Sequence, residues 1–165
     1  MPIPPHVAEL RRHLGHDPLW LTGVTAIVLR DDPERPDGPP QALLVKRSDD
    51  GRYTPVSGIV DPREHPADTA VREAMEETCV QIAVERLIAV RVVGPITYPN
   101  GDVSDYVDHT FRCRWVAGEP RVGDDEATEA AWWPTDALPP MGDDHVRLVE
   151  RAVAGDVDPY LGPAS

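Results

Sequence analysis

Residues 58 to 80, GIVDPREHPADTAVREAMEETCV, constrain this chain more than any other stretch. Pro66 suits the first position of a helix, where its missing N–H is not needed and its φ is already set. Asp68 in the first turn complements the helix dipole. No Gly or Pro interrupts Ala67 to Thr78, so a helix is predicted there. On a wheel of 3.6 residues, Ala67, Val71, Ala74, Met75 and Thr78 fall on one side. Glu73, Glu76 and Glu77 fall on the other, at spacings where neighbours face each other and like charges repel. Arg72, four residues before Glu76, can hold that carboxylate in place.

A helix of this kind has two readings. One is a solvated acidic surface. The other is a hard-cation site, since Mg²⁺ and Mn²⁺ prefer carboxylate and carbonyl oxygens. The wider spacing favours the second. Gly58, Glu64, Arg72, Glu73, Ala74, Glu76, Glu77, Cys79 and Val80 follow G-x5-E-x7-R-E-U-x-E-E-x-G-U, with U aliphatic. This pattern resembles the Nudix box, the signature of the Nudix hydrolases. Six of its seven fixed letters match, and Cys79 replaces the last Gly. In the loop, Asp61 keeps an acidic position, while Arg63 stands where many members have Gly.

The resemblance implies an α/β fold, a Nudix-like α/β/α sandwich with a mixed sheet and the box loop-helix. It implies hydrolysis of a nucleoside diphosphate linked to another moiety, an ADP-ribose-like sugar nucleotide or a nucleoside triphosphate, with Mg²⁺ and with Mn²⁺ as the alternative. Cations neutralise a pyrophosphate that would otherwise repel hydroxide, and they lower the pKa of bound water. Carried over residue by residue, Glu73, Glu76 and Glu77 are the ligand candidates, with the carbonyl of Gly58. Glu64 is expected to act through water or behind the ligands. Arg72 is expected to orient a ligand carboxylate. For the general base, Glu73 is the first choice and Glu126, in Asp124-Asp125-Glu126, the later-loop candidate. The Gly replaced by Cys79 is expected to end the helix with φ above zero, so Cys implies a less strained exit or a small cost. The family also contains non-catalytic nucleotide-binding domains that act as sensors or regulators, but these usually lose box carboxylates. A homodimer is compatible with the resemblance.

The rest of the chain is consistent. Its 165 residues are expected to form a single domain with a short N-terminal extension over 1–20. Sixteen basic against 29 acidic residues leave a net charge of −13, which argues against binding nucleic-acid polymers or anionic membrane. A nucleotide substrate remains compatible, because bound cations change the local field. No signal peptide or apolar span is evident, and two cysteines without metal spacing suit a reducing cytoplasm.

A coarse pass predicts a short helix over His6 to Leu14 and strands over Gly23 to Leu29 and Ala42 to Lys46. Tyr53 to Val56 reads as a short strand leading into the box loop. Ile82 to Val93 reads as one long strand, or two joined by a bend at Glu85-Arg86. A short piece at Ile96 to Tyr98, a turn at Pro99 to Asp102 and a strand over Tyr106 to Val116 follow. Ala130 to Trp133 reads as a late strand and Asp144 to Ala154 as a closing helix. Arg47 at a strand end could fork onto a phosphate, or be solvated. Tyr98 could stack on a base, or simply pack. His109 reads as a core or cross-strand histidine.

Overall fold

The computed structural model describes residues 3–123 and 127–162. Helix α1 (Pro5–Leu14) precedes strand β1 (Leu19–Arg30), followed by β2 (Gln41–Arg47), β3 (Tyr53–Thr54) and β4 (Val56–Ile59). Helix α2 (Pro66–Thr78) leads into β5 (Gln81–Thr97), β6 (Val103–Ala117), β7 (Ala127–Pro134) and helix α3 (Asp143–Ala154). The seven strands form one sheet in the order β3-β2-β1-β6-β5, with β4 also pairing β1 and β7 pairing β2. The β1–β6 pair is parallel and the other pairs are antiparallel, so the sheet is mixed.

From Gly23 to Leu29 strand β1 is buried on both faces, and its side chains alternate between them. Val24, Ala26 and Val28 pack with Ala70 and Ala74 of α2. Ile27 and Leu29 pack with Leu148, Val149 and Ala152 of α3. Leu19 and Leu21 pack with Val7 of α1. One face of the sheet therefore carries α2, and the other carries α1 at one end and α3 at the other. This is the expected α/β/α layering.

Boundaries differ where tertiary pairing extends local pattern. Strand β1 starts at Leu19 rather than Gly23 and runs beside β6 from Leu19↔Ser104 to Leu29↔Arg114. The two apolar stretches 82–93 and 96–98 merge into one strand, whose register shifts at Val84/Arg86, Leu87/Ala89 and Val93/Ile96. Those shifts bend the strand without breaking it. Past Tyr53–Thr54, the chain resumes as β4 and pairs with β1, so Gly58 lies in a strand opposite Val24. Trp132 packs into the α2-side core, and Trp133 meets Tyr53 edge-on at 5.4 Å, so the adjacent indoles take opposite faces.

Candidate active site

The buried face of α2 is rotated from the apolar side of the wheel, keeping Ala74 and Thr78 but not Val71 and Met75. Val71 and Met75 are each 40% exposed, whereas Glu73 is 2% and Glu77 5% exposed. The residues turned inward are Thr69, Ala70, Glu73, Ala74, Glu77 and Thr78. The cause lies across the interface on β4. A Cβ at Gly58 would stand 2.1 Å from Cδ and Oε1 of Glu73. With glycine there, the Glu73 carboxylate lies flat against the strand. Glu77 follows one turn later on the same face. Only Glu76, which is exposed, stays on the solvent side where the wheel puts all three glutamates.

Arg72 gathers the acidic side chains. Its Nε and Nη2 donate to Oε1 and Oε2 of Glu64 at 2.9 and 3.0 Å, a bidentate fork. Its Nη1 donates to Oε1 of Glu73 at 2.9 Å and to Oε2 of Glu76 at 3.0 Å, and Nη2 also reaches the Ile59 carbonyl at 3.3 Å. Glu64 also accepts from the Thr69 hydroxyl at 2.7 Å and the Asp61 amide at 3.3 Å. Arg72 foremost, helped by that hydroxyl and amide, holds the Glu64 carboxyl down at about 2. Burial pushes Glu73 the other way, to about 7, although Arg72 opposes the rise. The two carboxylates thus share one guanidinium but differ in hydration. Among the described residues, Oε2 of Glu73 receives no hydrogen bond.

Both departures from the box pattern keep glycine-like backbone. Arg63 has φ 73° and Cys79 φ 58°, and no other described non-glycine residue has positive φ. Cys79 takes the left-handed cap of α2, with its N–H on the Met75 carbonyl at 3.0 Å. The exit of the helix is therefore as tightly turned as a glycine exit. The small cost is the outcome, and the relaxed exit is not adopted. The carbonyls of Glu77 and Thr78 accept from the amides of Gly123 and Arg121 at 2.9 and 3.0 Å. A Cβ at Gly123 would stand 1.9 Å from the Glu76 carbonyl oxygen, so the chain after β6 lies close against the helix end. Glu126 lies outside the described residues.

The opposite face of the sheet carries a polar centre between the parts covered by α1 and α3. The buried Asp108 accepts from Thr25 at 2.8 Å, Thr110 at 2.7 Å and Arg91 at 3.2 Å. A Cβ at Gly23 would stand 3.7 Å from both Asp108 Oδ1 and the Gly58 carbonyl oxygen, so this centre and the box flank the same glycine. No motif marks Asp108 in the sequence, although β6 buries every second residue from Ser104 to Thr110, which puts Asp108 on the inward side. His109 is the neighbour on the other parity, half-buried, with Nδ1 3.4 Å from the Gly23 carbonyl.

Arg47 is held by Asp49 through Nε at 2.9 Å and through Nη2, and lines a cavity of about 210 Å³ with Arg52, Tyr53 and His145. Burial, and then the charge of Arg91, hold His145 below its ordinary pKa. The Tyr98 hydroxyl meets that of Tyr106 at 2.6 Å, and burial raises its phenol well above the usual value, with the charge of Arg47 within reach. Neither Arg47 nor Tyr98 shares a hydrogen bond or ion pair with Arg72.

The chain is similar in sequence and fold to known proteins. The sequence matches the NUDIX domain family over residues 21–152. It is 28% identical over 121 residues to a MutT-like protein of Streptomyces ambofaciens, covering 73% of this chain and 68% of that protein. The fold is similar to that of a UDP-X diphosphatase, with TM-score 0.67 and 20% identity over 95% of this chain and 74% of the other. It is also similar to an ADP-ribose pyrophosphatase of Streptococcus suis, with TM-score 0.62 and 17% identity over 86% of this chain and 96% of the other. The chain belongs to the Nudix family and is a Nudix hydrolase.

Nudix hydrolases generally use divalent metal ions. Among the described residues, no three His, Cys, Asp or Glu side chains close on a point that could hold a metal. The donor set nevertheless fits one. It is all oxygen, it has a buried glutamate with an unengaged oxygen, and the Gly58 backbone lies against that glutamate. No described helix is long and apolar enough to cross a membrane.

Proposed function

We propose that this enzyme hydrolyses the pyrophosphate of a nucleoside diphosphate linked to another moiety, an ADP-ribose-like sugar nucleotide or a nucleoside triphosphate, with Mg²⁺ or Mn²⁺. The observation that carries this reading is the burial of Glu73 and Glu77, one turn apart, on the packed face of α2 beside Gly58. A buried carboxylate is costly unless opposite charge arrives. Arg72 supplies it to one oxygen of Glu73, and a cation would supply it to the other. The UDP-X diphosphatase and the ADP-ribose pyrophosphatase, which share the fold, both act by name on nucleoside diphosphates bearing a substituent.

In this reading Glu73, Glu77 and the Gly58 carbonyl would hold the ion, with Glu76 reaching it from the solvent side. When bound, it neutralises phosphate charge and acidifies a coordinated water. The proton of the attacking water passes to Glu73 where its unengaged oxygen is not on the ion, and to Glu126 where it is. Arg72 and Glu64 fix the ligand carboxylates. Arg47 orients a phosphate and Tyr98, fixed through Tyr106, offers a ring to the base.

The test is a panel of ADP-ribose, UDP-sugars and nucleoside triphosphates with Mg²⁺ and with Mn²⁺. Wild-type protein is expected to release a nucleoside monophosphate or pyrophosphate. Glu77→Gln keeps the shape, removes the charge, and is expected to lower kcat by about a hundredfold or more. No turnover on the panel by the wild type would overturn the proposal in favour of a nucleotide-binding domain.

A further inference from the structure

A cavity of about 620 Å³ lies at the far end of the sheet, and its lining includes Arg30, Arg112, Arg114, Trp115, Glu119 and Leu29. No residue of α2 or of the box loop borders it. Leu29 stands five residues along β1 from Val24, the partner of Gly58, so about 17 Å of strand separates the two places.

The cavity is basic in a strongly acidic protein. Arg112 and Arg114 are two residues apart on β6 and point to the same face. Arg86 on β5 is directly opposite Arg112, and like charges in that position repel. These cations are incompletely matched. Outside the lining, the buried Nε and Nη2 of Arg86 have no hydrogen-bond partner among the described residues. The Nε of Arg112 lies 3.2 Å from Oε2 of Glu85 as an ion pair, and Arg30 lies 3.7 Å from Glu119. Arg30 also donates through Nε to Gln41 Oε1 at 2.8 Å and stacks 4.3 Å over the Trp132 ring. Arg114 makes no hydrogen bond or ion pair with any described residue. Two carboxylates, Asp31 and Glu119, also line the cavity, and Glu119 is largely exposed and able to swing away.

The guanidinium of Arg114 has no acceptor among the described residues, and a doubly charged oxyanion supplies several at once. We propose that this cavity is a second anion site that takes a phosphate group, either free or carried on a nucleotide. Arg112 and Arg114 hold the phosphate from the α3 side of the sheet end, Arg30 adds charge from the α2 side as Glu119 turns outward, and Trp115, also on the α2 side, lines the mouth that a base would meet. The ring of Trp115 is fixed, because its Nε1 donates to the Gly118 carbonyl at 2.8 Å. A chain with a net charge of −13 repels anions elsewhere, which makes a local basic pocket the place where one settles.

Calorimetric titration of inorganic phosphate and of adenosine monophosphate into the full chain, with EDTA present to silence the box, tests this. Both probes are expected to bind, with Arg114→Glu weakening them by about tenfold or more and Glu119→Gln tightening them. Arg114 is exposed, so its replacement leaves the core untouched, and Arg114→Gln serves should the charge reversal fail to fold. Tighter binding of the nucleotide, lost in Trp115→Ala, identifies a nucleotide as the source. Equal binding of both probes identifies free phosphate. The proposal is overturned if neither probe binds below about 10 mM, or if the substitutions at 114 and 119 leave both affinities at the wild-type value.

Discussion

Glu73 occupies the space that a side chain at position 58 would fill. A Cβ there would be 2.1 Å from its carboxyl carbon, far inside van der Waals contact. Glycine in β4 is thus the condition for a carboxylate in the core. The substitution Gly58→Ala is expected to cost about 1–3 kcal/mol and to lower turnover, because the helix or the Glu73 rotamer must give way. Urea denaturation measures the cost. The double variant Gly58→Ala/Glu73→Ala should recover much of it, whereas equal loss in the single and double variants would place the strain elsewhere.

Arg72 answers three carboxylates. Its replacement by Ala leaves Glu64 and Glu73 half-buried or buried without a cation, and about 2 kcal/mol of stability should be lost. Lys restores charge but not the fork on Glu64, so Arg72→Lys should recover only part of it. Thermal melts of the three proteins in low salt make the comparison.

The left-handed residues Arg63 and Cys79 each carry a side chain where a Cβ is disfavoured. Replacing either by Gly removes about 1–2 kcal/mol of backbone strain and returns about 0.5–1 kcal/mol as unfolded-state entropy. A net gain of about 0.5–1 kcal/mol per site is expected, and additivity of the two, since they stand at opposite ends of the box. A higher urea midpoint with unchanged slope would be the signature.

The opposed shifts of Glu73 and Glu64 give stability two pH windows. Glu73 is held near 7 in the fold against an ordinary 4.5, so the native state keeps a proton that the unfolded chain loses. In EDTA, stability should therefore fall as pH rises from about 4.5 to about 7. Glu64 is held at about 2, so its contribution is present above its ordinary value and is lost as pH falls from 4.5 towards 2. Denaturation midpoints across pH 2–8 should show both limbs, and Glu73→Gln should abolish the upper one. A divalent cation at pH 6 should displace the Glu73 proton, seen as proton release in a weakly buffered titration.

The box was legible because its chemistry is carried by fixed residue types at fixed spacing, and Pro66 and the uninterrupted run to Thr78 mark the helix well. The face that α2 buries was not legible. Hydrophobicity points to Val71 and Met75, whereas the void above Gly58, a property of a distant strand, turns Glu73 inward. The left-handed exit was foreseeable for Gly but not for Cys, because nothing local compels it. The closing segment at Gly118 to Gly123 tightens that turn from outside. Asp108 went unnoticed for a different reason. A lone acid in an alternating strand looks exposed until the hydroxyls of Thr25 and Thr110 and the guanidinium of Arg91 are seen to surround it.

The parallel ladder at the centre of the sheet has a consequence for biosynthesis. Every rung from Leu19↔Ser104 to Leu29↔Arg114 joins the first fifth of the polypeptide to its last two fifths. A ribosome emits β1 and the acidic helix long before β6 exists to shelter them. During that interval the growing chain presents an unmatched apolar strand edge, so a stalled or nicked product is a substrate for chaperones and proteases rather than a smaller hydrolase.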